Sequence, residues 1–197
     1  MTINRLSFTL SGDAVELLPL EKIHEDSLWN ASDNKEIWTY MATKINTKEE
    51  LRAEITKALK AKGQGTQHPF VVLHKERNEI VGSTRFLDIS SENKSAEIGF
   101  TWYHPSVWRT KVNTECKYLL LSHAFENWQL NRVFFKTDSR NIRSQQAISR
   151  LGAIKEGVLR KERIISDGYV RDTVYFSILK EEWPHVKKVL LEKLKEV

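Results

Sequence analysis

A single cysteine, Cys116, in a chain of 197 residues excludes an internal disulfide and a cysteine-based zinc cluster, which fits a reducing cytosol. Long apolar runs are missing as well. Nowhere do about 18 consecutive apolar residues occur, the length that a spanning helix needs. The opening stretch, MTINRLSFTLSGDAVELLPL, has no continuous apolar core ahead of a small-residue cleavage site. These absences predict a soluble, untargeted, cytoplasmic protein. The six histidines, His24, His68, His74, His104, His123 and His185, include no pair at metal-ligand spacing, so no metal is expected. Low-complexity linkers and internal repeats are also absent, and residues 1–197 read as one domain. With 40% hydrophobic and 29% charged residues, the chain can bury a full core. A formal charge of +5 favours anionic ligands and falls short of what a dedicated nucleic-acid binder carries.

The order of elements is legible from pattern. Val15–Leu20 reads as a strand, and Glu25–Met41 as one or two helical segments carrying Leu28, Trp29, Ile37, Trp38 and Tyr40. Thr47 followed by Glu50 is a capping box that opens a helix with Leu51, Ile55 and Leu59 on one face, ended by Gly63 and Gly65. Three strands follow as an antiparallel meander, Pro69–Lys75, Glu79–Asp88 and Ser95–His104. From Val112 to Gln129 there is no Gly or Pro, and the broad apolar surface predicts a helix buried on more than one side. Val133–Thr137 is short and bulky, as for a strand covered on both faces. A helix then runs from Asn141 to Gly152. Strands Ala153–Ile165 and Tyr169–Leu179 flank the hairpin signal Ser166-Asp167-Gly168, and a basic amphipathic helix, Pro184–Lys195, follows. The fold class is α+β, a mostly antiparallel mixed sheet with helices on both faces.

Between Glu97 and Gly152 this order makes a cleft with two helix N-termini directed into it. Unpaired N–H groups and a favourable dipole at such ends suit a polyphosphate or a developing oxyanion. The expectation is an enzyme that grips a phosphorylated carrier.

The run Ala96-Glu97-Ile98-Gly99-Phe100, the loop Pro105 to Trp108, Thr114-Glu115, Asn131-Arg132-Val133, Asp138, Asn141, Ser144, Leu151-Gly152 and Glu156-Gly157 with Arg160 resembles the GNAT superfamily of acetyl-CoA-dependent N-acetyltransferases. More narrowly it looks like the branch that includes the ribosomal-protein N-terminal acetyltransferases. The resemblance extends from Val15 to Leu179. It implies a sheet with a splayed central strand pair, acetyl-CoA as co-substrate, an amine as acceptor, and transfer by direct attack in a ternary complex. A monomer or homodimer is expected, with neither membrane nor nucleic acid as partner.

The resemblance also implies roles. Trp102 and Tyr103 would supply backbone donors facing the thioester, and Trp108 to Asn113 would occupy the pyrophosphate loop, ahead of Thr114. That loop usually carries two small residues, whereas this chain has Arg109, Thr110, Lys111, Val112 and Asn113. Either the Arg109 and Lys111 side chains now hold the phosphates, or the cofactor site is weakened. The tyrosine that many members place seven residues after the Asn is Ile148 here, so it cannot protonate the leaving thiolate.

Acetyl transfer needs a base for the amine, donors for the oxyanion and stabilisation of the thiolate. Strand alternation places Glu97, Gly99, Thr101 and Tyr103 on one face, which makes Glu97 the leading base and Asp88 the fallback; a solvent-facing strand carboxylate is the plainer reading. Ser144, one turn into its helix, could donate to the thiolate or be an ordinary surface serine. Asn141 is a helix cap that could also contact the pantetheine arm. Cys116 reads as a buried thiol, and Glu115 as a dipole partner. Trp29, Trp38, Phe86, Trp102 and Trp108 are candidates for either acceptor pocket or core. Arg140, Arg143, Arg150, Lys155, Arg160, Lys161 and Arg163 could meet a 3′-phosphate, an acidic partner or only solvent. Two other functions stay open: a non-catalytic acyl-CoA-binding or protein-interaction module, and a nucleic-acid-binding domain using that basic cluster.

Overall fold

The computed structural model describes residues 7–196. Eight strands form one sheet: β1 (Leu10–Ser11), β2 (Val15–Pro19), β3 (His68–His74), β4 (Glu79–Ser90), β5 (Ser95–Tyr103), β6 (Arg132–Asp138), β7 (Ile154–Ile164) and β8 (Val170–Leu179). Their spatial order is β1-β2-β3-β4-β5-β6-β8-β7. Neighbours are antiparallel except β5 and β6. Those two run parallel and pair at only three positions, Ser95 with Arg132, Ala96 with Val133 and Glu97 with Phe134. Beyond Glu97 they part, which is the splay that the resemblance implies.

Helices α1 (Glu25–Ala31), α2 (Lys35–Trp38), α3 (Lys48–Gly63), α4 (Val112–Ser122), α5 (Ile142–Arg150) and α6 (Trp183–Lys195) divide between two cores. In one, Val112, Cys116, Leu120, Ile148, Val186 and Leu190 of α4, α5 and α6 pack on Phe70, Phe86, Phe135 and Phe176 of the sheet. In the other, Leu28, Ile37, Trp38, Leu51 and Ile55 of α1 to α3 pack on Val71 and Trp102. Helices therefore cover both faces. The capping box forms as expected, with Glu50 N–H donating to Thr47 Oγ1 and Thr47 N–H to Glu50 Oε2, each at 3.2 Å. Gly168 turns the β7–β8 hairpin at φ +84°, and Gly152 follows α5 at φ +99°.

One strand went unread and two expectations need correction. The strand β1, two residues long, carried no pattern to read. The helix expected to reach Gln129 ends at Ser122 and widens into a π-turn, His123–Asn127. There His123 stacks on Phe8 at 4.0 Å and Trp128 reaches Phe86 at 4.6 Å, contacts that a continuing α-helix would aim elsewhere. On β6, Val133 and Phe135 are buried but Phe134 and Lys136 are only half-buried, so that strand is covered on one face and open on the other. Its bulk on the open side is Phe134, flanked by the Arg132 and Lys136 cations at 5.7 and 5.2 Å from its ring.

Candidate active site

The site is set by one extra residue in β5. Ser83 pairs with Trp102 and Arg85 with Gly99, so Phe100 and Thr101 both lie opposite Thr84, and Phe100 takes φ +46°. A bulge resets side-chain alternation. Glu97, Gly99, Thr101 and Tyr103 consequently do not share a face, contrary to simple alternation. Phe100 and Trp102 pack into the core under α1 to α3, whereas Thr101 and Tyr103 turn toward α4. Holding a β-carbon-bearing residue at positive φ costs on the order of 1–3 kcal/mol, a strain that clusters at functional sites.

Glu97 stands at the last paired position before the strands part. It is 8% exposed, and its carboxylate meets Lys136 Nζ at 2.9 Å, while the same ammonium donates to Asp88 at 2.8 Å. Burial raises the Glu97 pKa, and the Lys136 charge opposes that rise without cancelling it. Burial works against the Lys136 charge too, but its bonds to Asp88 and Glu97 raise its pKa. A β-carbon on Gly99 would lie 2.6 Å from Glu97 Oε1, so the carboxylate rests where only glycine leaves room. Asp88, the fallback base, is the more exposed of the two and sits on the far side of the same lysine. The plain reading of Glu97 as a solvent-facing carboxylate is therefore wrong for this chain.

At the other end of the splay lies the loop leading into α4. Trp108 donates its indole N–H to the Tyr103 carbonyl at 2.8 Å, which occupies one backbone acceptor at the end of β5. Thr110 donates through Oγ1 to the Val107 carbonyl at 2.7 Å and accepts from Val112 N–H at 3.3 Å. Val112 is itself core, so only its backbone faces the loop. Glu115 N–H returns to Lys111 O, but the N–H groups of Asn113 and Thr114 have no partner among the described residues. Arg109 and Thr110 are exposed, Lys111, Asn113 and Thr114 half-buried, and Arg109 adopts φ +61°. Two free amides and a helix dipole thus lie on the same short loop as two basic residues, Arg109 and Lys111.

At α5, Asn141 Oδ1 accepts Ser144 N–H at 2.9 Å, which is the cap. The Ser144 hydroxyl has no hydrogen bond among the described residues. Arg143 lies 4.2 Å over the Trp108 ring, joining the two helix starts.

Other candidates fall to structure. Cys116 is fully buried, its thiol pushed up to about 12 by burial. Glu115 does more than face a dipole: its carboxylate accepts from the N–H groups of Asp13, Ala14 and Val15 at 2.8, 2.9 and 2.7 Å. Phe86, Trp38 and Trp102 are core residues, the last two 5.4 Å apart. The basic residues are dispersed, with Arg140 bonded to Asp138 at 2.7 Å and Arg163 near Glu162 at 3.9 Å. No group of three His, Cys, Asp or Glu among the described residues could hold a metal, and no helix among them is long and apolar enough to cross a membrane. Sequence reasoning missed two residues, Lys136 and Lys117. Lys136 ends the run Val133-Phe134-Phe135 and Lys117 stands ahead of Tyr118-Leu119-Leu120-Leu121, the one signal that marked them.

The model of the acetyltransferase (GNAT) domain matches residues 15–154, which include the splay, the α4 loop and all of α5. The chain belongs to the GNAT acetyltransferase family. Members of that family use acetyl-CoA as co-substrate. Among curated relatives, the uncharacterized N-acetyltransferase p20 of Bacillus licheniformis is 31% identical over 120 residues, 61% of this chain; the chain spans 66% of that relative's length. The ribosomal-protein-serine acetyltransferase of Escherichia coli K12 is 23% identical over 171 residues, covering 85% of this chain and 94% of that one. A solved GCN5-related N-acetyltransferase from Brucella melitensis superposes with a TM-score of 0.88 at 26% identity, covering 95% of this chain and 85% of that one.

Proposed function

We propose that this GNAT chain acts, as a single catalytic domain in the cytoplasm, as an N-acetyltransferase moving an acetyl group from acetyl-CoA to a primary amine in a ternary complex. The observation that carries the reading is the buried Glu97 carboxylate at the fork of β5 and β6, where its raised pKa suits a general base. In this scheme the pyrophosphate is held by the Asn113 and Thr114 amides with Arg109 and Lys111. Thr110 and the Val112 backbone shape that loop. The pantetheine arm passes the ends of Trp102 and Tyr103 toward the Asn141 and Ser144 start of α5, where the free Ser144 hydroxyl donates toward sulfur. Glu97 takes the amine proton on the opposite face. A protein or peptide N-terminus is the acceptor class to try first.

Release of free CoA thiol over a panel of amines and peptides tests the activity. Glu97→Gln is expected to lower turnover by about 10²-fold or more with little change in acetyl-CoA affinity. A carboxyl that holds its proton more tightly than usual is still protonated where ordinary glutamates, near pKa 4.3, have ionised. Activity should therefore fall off on the acid side at a higher pH than an exposed carboxylate would give, and Glu97→Gln should remove that limb. Tight acetyl-CoA binding with no thiol release from any amine would favour the non-catalytic module.

A further inference from the structure

The scheme above leaves unused a charge buried in α4. Lys117 is 5% exposed. Its ammonium donates to Thr101 Oγ1 at 2.8 Å and sits 5.9 Å from the centre of the Phe135 ring. Thr101 lies on β5 beyond the bulge and Phe135 on β6, so the ammonium stands between the two strands, on the α4 side of the gap that opens past Glu97 and Phe134. An ammonium has three donors, and among the described residues only the one toward Thr101 finds a hydrogen-bond partner. No carboxylate is paired with it among those residues either. An unpaired buried charge is costly, and a lysine kept there has its free donors in the splay. Around it are the Thr101 hydroxyl, bonded to Thr84 at 2.8 Å, the Phe135 ring, the neighbouring Cys116 thiol with the Tyr103 phenol beside it, and Glu97, whose charge reaches it through the sheet. Burial lowers the Lys117 pKa to about 8, against the attraction of Cys116 and Glu97.

We infer that Lys117 receives the sulfur of CoA as the thioester breaks, its ammonium first stabilising and then protonating the leaving thiolate. The inference rests on the acetyltransferase reading. The amine lone pair forms the C–N bond, and the C–S bond breaks with its electron pair passing to sulfur. Glu97 accepts the proton lost by the amine nitrogen. Lys117 gives one N–H proton to sulfur, leaving amide, CoA thiol, protonated Glu97 and a neutral lysine. Exchange with solvent resets both. Ser144 can donate a hydrogen bond to sulfur but has no surplus proton to give, so the two residues do not compete. An ammonium with a pKa near 8 passes its proton to a thiolate, whose ordinary partner pKa is about 8.5, without a steep uphill step.

The test needs no acceptor. Calorimetry of CoA and of acetyl-CoA, at about pH 7.5 in two buffers of different ionisation heat, counts protons released on binding, and ultraviolet absorbance reads thiolate. CoA should bind with release of a proton, the thiol and Lys117 sharing the one that remains so that thiolate absorbance stays well below a full equivalent, while acetyl-CoA, which has no thiol, releases none. Lys117→Met should abolish the release and weaken CoA about tenfold while leaving acetyl-CoA within about threefold. Proton-silent binding of CoA to the unmodified protein would overturn the inference whether or not the variant folds, as would proton release retained in Lys117→Met. Failure of both CoA and acetyl-CoA to bind is a different result, and it would remove the acetyltransferase reading together with this one.

Discussion

Two helices begin beside the splay, and they begin differently. α5 satisfies much of its own start: Asn141 Oδ1 takes Ser144 N–H, Asn141 O takes Gln145 N–H at 3.1 Å, and Arg140 O takes Ile142 N–H at 3.0 Å. α4 has no side-chain cap reaching into its first turn, beyond the Thr110 hydroxyl on Val112 N–H, and leaves Asn113 and Thr114 open. Helix starts are not equivalent anion sites merely because they share a dipole. The one with more unspent donors is better suited to an anion, and the one nearly closed by its own cap is less so. The cations follow the same division. Arg109 and Lys111 stand at the open start, and at the closed one Arg143 is spent on the Trp108 ring.

The largest effect should come from the open start. Removing either charge, Arg109→Ala or Lys111→Ala, is expected to weaken acetyl-CoA binding by about 1–3 kcal/mol at moderate salt, the scale of a charge-assisted bond to phosphate. Lys111→Gly decides the sign. Looser binding sharpens the contrast, whereas tighter binding would mean the side chain obstructs a site that once used close backbone approach. Next in size is the closed start, where Asn141→Ala should cost about 1 kcal/mol of stability in a denaturation curve and leave acetyl-CoA affinity unchanged. If affinity drops tenfold with stability intact, α5 is a second binding terminus and the contrast is broken. The smallest effect belongs to the link between the two. Arg143→Ala should cost about 0.5–1 kcal/mol, the worth of an exposed cation–π contact, seen as a slight loss of stability and of affinity together.

What could be read in the sequence was local. Thr47 and Glu50 cap the helix that they announce, and Asp167-Gly168 turns the hairpin, because each signal depends on residues within one turn of itself. The helix at Asn141 and the position of Glu97 on its strand were also legible. The faces beyond Glu97 were not. The bulge exists in the pairing of Phe100 and Thr101 against Thr84 on another strand, and no spacing within β5 records it. Lys136 and Lys117 escaped for a related reason. A lone lysine at the end of an apolar run reads as ordinary until the carboxylate or hydroxyl it meets, from a separate element, is known. Family likeness supplied the splay, which three parallel pairs between β5 and β6 could not have announced.

The bonds from Glu115 to the turn between β1 and β2 span 100 to 102 residues of chain. Contacts that distant form late, because closing so long a loop is entropically slow. The first turn of α4, which holds the open amides, is therefore fastened to the edge of the sheet by contacts that local folding of the helix does not supply. A change that removes the Glu115 carboxylate should therefore be felt at the Asn113 and Thr114 amides as well as at the sheet edge that it ties down.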